Sequence, residues 1–407
     1  MLRSSLADDL AANELAPGYV RPDYDGYCFA NVPGTAGRVL GSDVAPALPD
    51  DVFADVDTDP STVVVVLVDA LGFDHASALT DEHDLMAAFA DEGTVTPLTS
   101  TYPSETAACV TTMQTGRYPV EHGLLGWNAY DPEADAVYAS LPFQAADGGD
   151  LELDPEKMAD GDTVFDRLAA DGVDCHTVQA FETPTDAATD HTIETLGEFA
   201  ATLANVVEDA ADEERSFVYA YYSDVDSTGH HVGPDHLAYR TEGYAVLSAL
   251  ERAFADVSER AASETLLTLT ADHGQVDTTG GRVALESVDG VLDEVATDRS
   301  GVPLVLGAPR NVHFHVDGDR SRVREALESL DALVYTREEA LDIGLWGPGE
   351  PGPAFERNCG DLVAIPREGA LWYREGNDEL DLVGMHGGLN EREMLVPFAA
   401  ARLSDLG

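Results

Sequence analysis

Four apolar runs of strand length constrain this chain more than any other feature of it. They are "TVVVVLVDA" (62–70), "CHTVQAF" (175–181), "SFVYAYYSD" (216–224) and "TLLTLTAD" (265–272). A strand with one face in water alternates apolar with polar residues. These runs are continuous instead, so both of their faces must be covered.

Segments of helical pattern accompany them: "ETAACVTTMQTG" closing on Gly116, "HTIETLGEFAATLANVVEDAAD" and "HLAYRTEGYAVLSALERAFADVSERAAS". Strand alternating with helix predicts an α/β core, a mainly parallel sheet sandwiched by helices. From 281 to 379 the texture changes. "VHFHVDG", "SRVREALESL" and "ALVYT" read as β-α-β, followed by the loop "GPGEPGP" and a hairpin over "DLVAIPREGALWYREG". The expected division is therefore a core of residues 1–280 and 380–407 with an inserted α+β cap at 281–379.

Acidic residues outnumber basic ones 77 to 22, giving a formal net charge of −55, and Lys157 is the single lysine. The acid is spread among the apolar runs rather than gathered in a tail, so it must coat a folded globule whose self-repulsion needs ionic screening. A salt-adapted, cytoplasmic protein is expected. Such a field repels polyanions, which argues against nucleic acid and anionic membrane as partners. No stretch reaches the roughly 18 apolar residues of a membrane span. Cys28, Cys109, Cys175 and Cys359 lie far apart without a CxxC spacing, so free thiols are expected.

In open α/β sheets ligands bind beyond the carboxyl ends of the strands. Asp69, then Asp224 and Asp226, then Asp272 with His273 all follow such runs. Where acid is this common a single aspartate says little, but several strands ending alike say more. The chain has only 12 histidines, and His230, His273 and His386 stand beside such aspartates or glycines in "DSTGH", "DHG" and "MHGG". Neutral imidazole with carboxylate oxygens suits zinc and similar divalent ions. His122, His231, His236, His313 and His315 are read as ordinary structural residues. The hydroxyl cluster "STYPSETAACVTTMQTG" opens a helix, whose N-terminus favours phosphate. Thr106 begins that helix and could serve as a nucleophile or merely as a cap, with Thr101 and Ser104 as rivals by position.

Together these residues resemble the alkaline phosphatase superfamily, specifically its nucleotide pyrophosphatase/phosphodiesterase branch, the type I phosphodiesterases. The resemblance covers most of the chain outside the insertion. The family's aspartate after its first strand is matched by Asp69 in "LVDALGFDH". Its threonine nucleophile, nine residues before "TG" and followed by "YP..HG", is matched by Thr106 with Thr115-Gly116, Tyr118-Pro119 and His122-Gly123. Its "DSSGH", "DHG" and late "HG" are matched by Asp226–His230, Asp272–Gly274 and His386-Gly387.

The resemblance implies an alkaline-phosphatase-like fold and two divalent metal ions, zinc first, with manganese or another ion as the alternative. It places Asp226, His230 and His386 on one ion and Asp69, Asp272, His273 and Thr106 on the other. It implies a hydrolase of phosphodiester or nucleotide pyrophosphate bonds acting through a phosphothreonine on small phosphate esters or nucleotides. A phosphomonoesterase with the same site and a noncatalytic divalent-metal binder are the alternatives. Two departures bear on substrate. Trp127 falls where the family's pyrophosphatases carry a phosphate-binding asparagine, with Asn128 one residue later, so both are candidate substrate contacts. "ETAA" also replaces the wording "TFPN" around the nucleophile. The sulfatase signature Cys/Ser-x-Pro-x-Arg is absent.

Overall fold

The structure, a computed structural model, describes residues 1–141, 144–145, 159–374 and 378–407. Lys157 and residues 375 and 376 of the expected hairpin lie outside the described residues.

The four apolar runs form neighbouring strands of one seven-stranded sheet. Its strands in chain order are β1 Thr62–Val68, β2 Thr94–Thr99, β3 Asp174–Gln179, β4 Thr189–Thr192, β5 Ser216–Tyr222, β6 Thr265–Thr270 and β7 Leu395–Arg402. Across the sheet they run β2, β7, β6, β1, β5, β3, β4. Every pairing is parallel except the two made by β7. All seven residues of β1 are buried. At about 1.5–3 kcal/mol for each fully buried Val or Leu side chain, this strand is a strong enough anchor to carry buried acid at its end. Helices flank the sheet, among them Leu196–Ala210, capped by Thr195, and Leu237–Phe254.

Register decides what meets at the carboxyl edge. Tyr222 pairs with Val68 and Thr270 with Leu67, so Asp69 and Asp272 emerge side by side. The β5 strand leads directly into the helix Asp224–Val232. The β2 strand leads through the turn at 100–105 into the helix Thr106–Thr115, which ends on left-handed Gly116. Because β7 runs the other way, its first residue lies at this same edge, where Leu395 pairs with Thr99. The loop preceding it, which carries His386, arrives there too.

A second seven-stranded sheet, antiparallel throughout, contains the strands Ala332–Thr336, Leu362–Pro366, Asn311–Phe314 and Val305–Ala308. It continues with Asn128–Asp131, Ala136–Ala139 and Gln144–Ala145. Three of its strands thus come from outside the expected 281–379 insertion. The junction is made by Gly307, at φ +86°, where a Cβ would stand 2.1 Å from the Asn311 carbonyl oxygen. The expected hairpin over 361–376 does not form among the described residues. Ala370–Trp372 pairs in parallel with Arg282–Ala284 instead, because the chain turns away at Gly369, φ +75°, against the backbone of Gly281.

One buried ion pair joins the two sheets. Arg310 donates to Glu393 through Nε (2.7 Å) and Nη2 (2.5 Å), and both side chains are fully buried. Arg310 also donates to the Gly369 and Arg367 carbonyls. Glu393 accepts in addition from the Asn390 N–H at 2.9 Å, so the pair fixes the end of the loop that carries His386. Arg310→Met leaves the Glu393 charge buried and alone, and denaturant titration should show a loss of about 3–5 kcal/mol. A loss no larger than the roughly 0–1 kcal/mol of a surface pair would show that the link is not structural.

Candidate metal centre

The ends of β1, β5 and β6 and the loops beside β2 and β7 supply the parts of one cluster. Asp226 and His230 occupy the helix Asp224–Val232 four residues apart, hence on one face. His230 Nε2 lies 3.1 Å from Asp226 Oδ2 and 3.3 Å from His386 Nε2. His386 Nε2 lies 3.5 Å from Asp226 Oδ1. On the other side His273 Nε2 lies 3.4 Å from Asp69 Oδ1 and 3.5 Å from Asp272 Oδ2. The His273 and His386 rings stack at 3.7 Å, so the two halves adjoin. Thr106 Oγ1 stands 3.0 Å from His273 Nε2.

The backbone fixes which nitrogen each ring turns inward. His230 Nδ1 lies 2.7 Å from the Gly384 carbonyl oxygen, His273 Nδ1 3.0 Å from that of Gly274, and His386 Nδ1 3.3 Å from that of Ser104. A carbonyl only accepts, so each Nδ1 carries the hydrogen, and a neutral ring then turns an Nε2 lone pair to the centre. The carboxylates are steered likewise. Tyr221 donates its hydroxyl to Asp69 Oδ2, Gln275 its amide to Asp226 Oδ1, and the Ala70 and His273 N–H groups donate to Asp272 Oδ1.

These donors fit divalent cations. Ligands at about 2.05 Å in tetrahedral array stand about 3.3 Å apart, and the spacings above run from 3.1 to 3.5 Å. Asp69 Oδ1 and Asp272 Oδ2 are buried without a hydrogen-bond partner among the described residues, as a cation-binding oxygen would be. Among the described residues, two three-residue groups have ligand atoms close enough for one ion, Asp69 with Asp272 and His273, and Asp226 with His273 and His386. Burial, then the charges of Asp272 and Asp226, push the Asp69 carboxyl well above the usual range, and burial likewise raises Asp272. For Asp226 the rise that burial would cause is outweighed by His230 and His386, which hold it low. His230 is pulled down by burial but carried up to about 9 by Asp226.

Other residues of the cluster are otherwise occupied. Ser104 donates to the Gly388 carbonyl at 2.8 Å and accepts from the Gly387 N–H, so it serves the His386 loop. Thr101 donates to the Pro103 carbonyl at 2.9 Å. The amides of Ala107 and Ala108, at the start of the helix, donate to the Glu105 carboxylate. That carboxyl is pushed up to about 8 by burial against the pull of those amides. Asp224 accepts from the Tyr222 hydroxyl, Asp235 pairs with Arg392, and His236 caps the helix that follows it. His122, buried and lowered to about 3 by burial, lies 3.0 Å from the Thr112 hydroxyl. Trp127 is 38% exposed. Asn128 donates its amide to Glu379 Oε1 at 3.0 Å. Tyr221, Gln275 and Glu379 escaped sequence reasoning. Only Tyr221 and Gln275 carried a signal, since both lie within a few residues of candidate ligands.

A family model described as type I phosphodiesterase/nucleotide pyrophosphatase matches residues 63–389. No curated protein matches the sequence. Among solved structures, murine ectonucleotide pyrophosphatase/phosphodiesterase 5 aligns at TM-score 0.63 and 17% identity over 83% of this chain and 87% of its own. An inactive form of that murine protein in complex with AMP aligns at 0.61 and 16% identity over the same shares. Phosphonoacetate hydrolase from Sinorhizobium meliloti 1021, in complex with phosphonoformate, aligns at 0.57 and 18% identity over 87% and 97%. At these identities the structures share the fold. No helix among the described residues is long and apolar enough to cross a membrane.

Because the folded state holds the Asp69 and Asp272 protons more tightly than the unfolded chain, ionising them costs stability as pH rises from the ordinary aspartate range. Asp272→Asn should therefore raise the unfolding free energy of chelator-treated protein at pH 8 by about 1–3 kcal/mol. It should also reduce the stabilisation that added zinc or manganese gives the wild type. A less stable variant that still responds fully to the ions would contradict the assignment.

Proposed function

The chain belongs to the type I phosphodiesterase/nucleotide pyrophosphatase family, and from that premise we propose that it hydrolyses phosphodiester or nucleotide pyrophosphate bonds through a phosphothreonine at Thr106. The observation that carries this reading is the threonine hydroxyl 3.0 Å from His273 Nε2, within a cluster whose inward atoms are all cation donors. Asp226, His230 and His386 would hold one divalent ion and Asp69, Asp272, His273 and Thr106 the other, zinc by ligand type with manganese second. Such ions supply Lewis-acid stabilisation of the ionised hydroxyl and of the leaving oxygen.

Thr106 Oγ1 gives its proton to water and attacks phosphorus, and the bond to the leaving oxygen breaks with its electron pair, that oxygen taking a proton back from water. Water then cleaves the Thr106 phosphoester, which releases a phosphomonoester and restores the hydroxyl. The short helix start and the cluster hold Oγ1 in place for attack, so little rotational freedom is lost in the reaction. The Glu105 carboxylate already takes the Ala107 and Ala108 amides, so those N–H groups are not what grips the phosphate.

Charge favours diesters over monoesters. Three aspartates face the two proposed ions, and among the described residues no arginine or lysine bonds to the six ligands. With the Thr106 hydroxyl still protonated, two divalent cations leave one surplus positive charge there, which a diester monoanion balances and a monoester dianion overshoots. AMP bound to the murine relative is consistent with a nucleotide-sized substrate. The acidic shell supports work at high ionic strength in a salt-rich cytoplasm.

Thr106→Ala is expected to lower hydrolysis of bis(4-nitrophenyl) phosphate in high salt by about 10³-fold or more while elemental analysis finds metal content like the wild type's. Retained turnover would move the nucleophile elsewhere. Bound metal in the wild type, with no hydrolysis of this diester or of 4-nitrophenyl phosphate, would favour a noncatalytic binder.

A further inference from the structure

Glu379 is a half-buried acid that the chemistry above does not use. It sits on the short turn Glu379–Asp381, just before Val383 and Gly384. Val383 donates its N–H to the His230 carbonyl at 2.7 Å, and the Gly384 carbonyl oxygen lies 2.7 Å from His230 Nδ1. The segment thus runs along the helix that carries His230. Glu379 Oε1 is held by the Asn128 amide at 3.0 Å, and Asn128 also donates to the Gly307 carbonyl at 3.5 Å. Glu379 Oε2 is buried and has no hydrogen-bond partner among the described residues. Burial lifts this carboxyl to about 7, opposed by the Asn128 bond and by the nearby His230 charge.

We propose that Glu379, fixed by Asn128, forms a hydroxyl-binding subsite on the leaving-group side of the centre, selecting phosphate esters whose departing alcohol carries a further hydroxyl. This rests on the hydrolase reading above. The side follows from geometry. Thr106 touches the half of the cluster that contains His273, and in-line displacement sends the leaving oxygen toward the opposite half, where His230 lies. The chemical class follows from the unpartnered Oε2. A hydroxyl both donates and accepts, so it satisfies this oxygen whether the carboxyl is ionised or protonated, whereas an ammonium suits only the ionised form. An apolar alcohol would leave the buried oxygen unpaired. The Asn128 amide, which family resemblance would point at phosphate, is used here to orient the acid.

The test compares the 2,3-dihydroxypropyl and propyl esters of methyl phosphate, with kcat/KM measured by release of methyl phosphate in high salt. The wild type should prefer the dihydroxypropyl ester, and Glu379→Ala should reduce that preference ratio by about tenfold. The part of the ratio that survives is the intrinsic difference between the two alcohols. Glu379→Gln, which keeps an acceptor for the hydroxyl and the shape of the site, should retain a preference between the two. A merely structural role would lower both esters alike and leave the ratio unmoved, which overturns the subsite alone. Failure of the wild type to cleave either ester, or bis(4-nitrophenyl) phosphate, removes the hydrolase reading and the subsite with it.

Discussion

Three imidazoles whose outer nitrogens are tied to main-chain carbonyls set the character of this molecule. With Nδ1–H given to Gly384, Gly274 and Ser104, neutral rings can only present lone pairs to the aspartates they face. Lone pairs and carboxylates at such spacing repel one another unless protons or cations lie between them. The tighter hold of His230 and Asp69 on their protons is the protonic answer to that repulsion, and divalent cations are the answer the donor set fits.

The rest of the fold serves to make that crowding affordable. Parallel strands buried on both faces deliver Asp69 and Asp272 at adjacent strand ends, and the reversed β7 brings His386 in from the same edge. Ser104 couples the two loops that flank the centre, since its carbonyl faces His386 and its hydroxyl holds Gly388. The Arg310 and Glu393 pair ties the second sheet to the same loop, so that sheet and the loop that carries His386 are anchored together.

Much of this was legible in the sequence for physical reasons. Continuous Val and Leu runs report burial on two faces, and the aspartates that end them mark the edge where an α/β sheet binds ligands. Asp226 was legible because it follows the run 216–224, and His230 because it stands beside that aspartate in "DSTGH". Residues whose partners lie far along the chain were not legible. Glu379 meets Asn128 across 251 positions, and Arg310 meets Glu393 across 83. In a chain where about one residue in five is acidic, nothing local separates these two glutamates from solvated ones. The strands at 128–145 read as part of the core because their partners come from 305–308, and the expected hairpin at 361–376 fails because Ala370–Trp372 finds its partner at 282–284.

The most direct measurement is the number of divalent ions held per chain, by calorimetric titration of zinc into chelator-treated protein at high salt, with His230→Ala alongside. Two ions in the wild type and a single one in the variant are the expected result. A wild type that takes up no ion, or a variant that binds as the wild type does, would contradict a centre built from these six side chains.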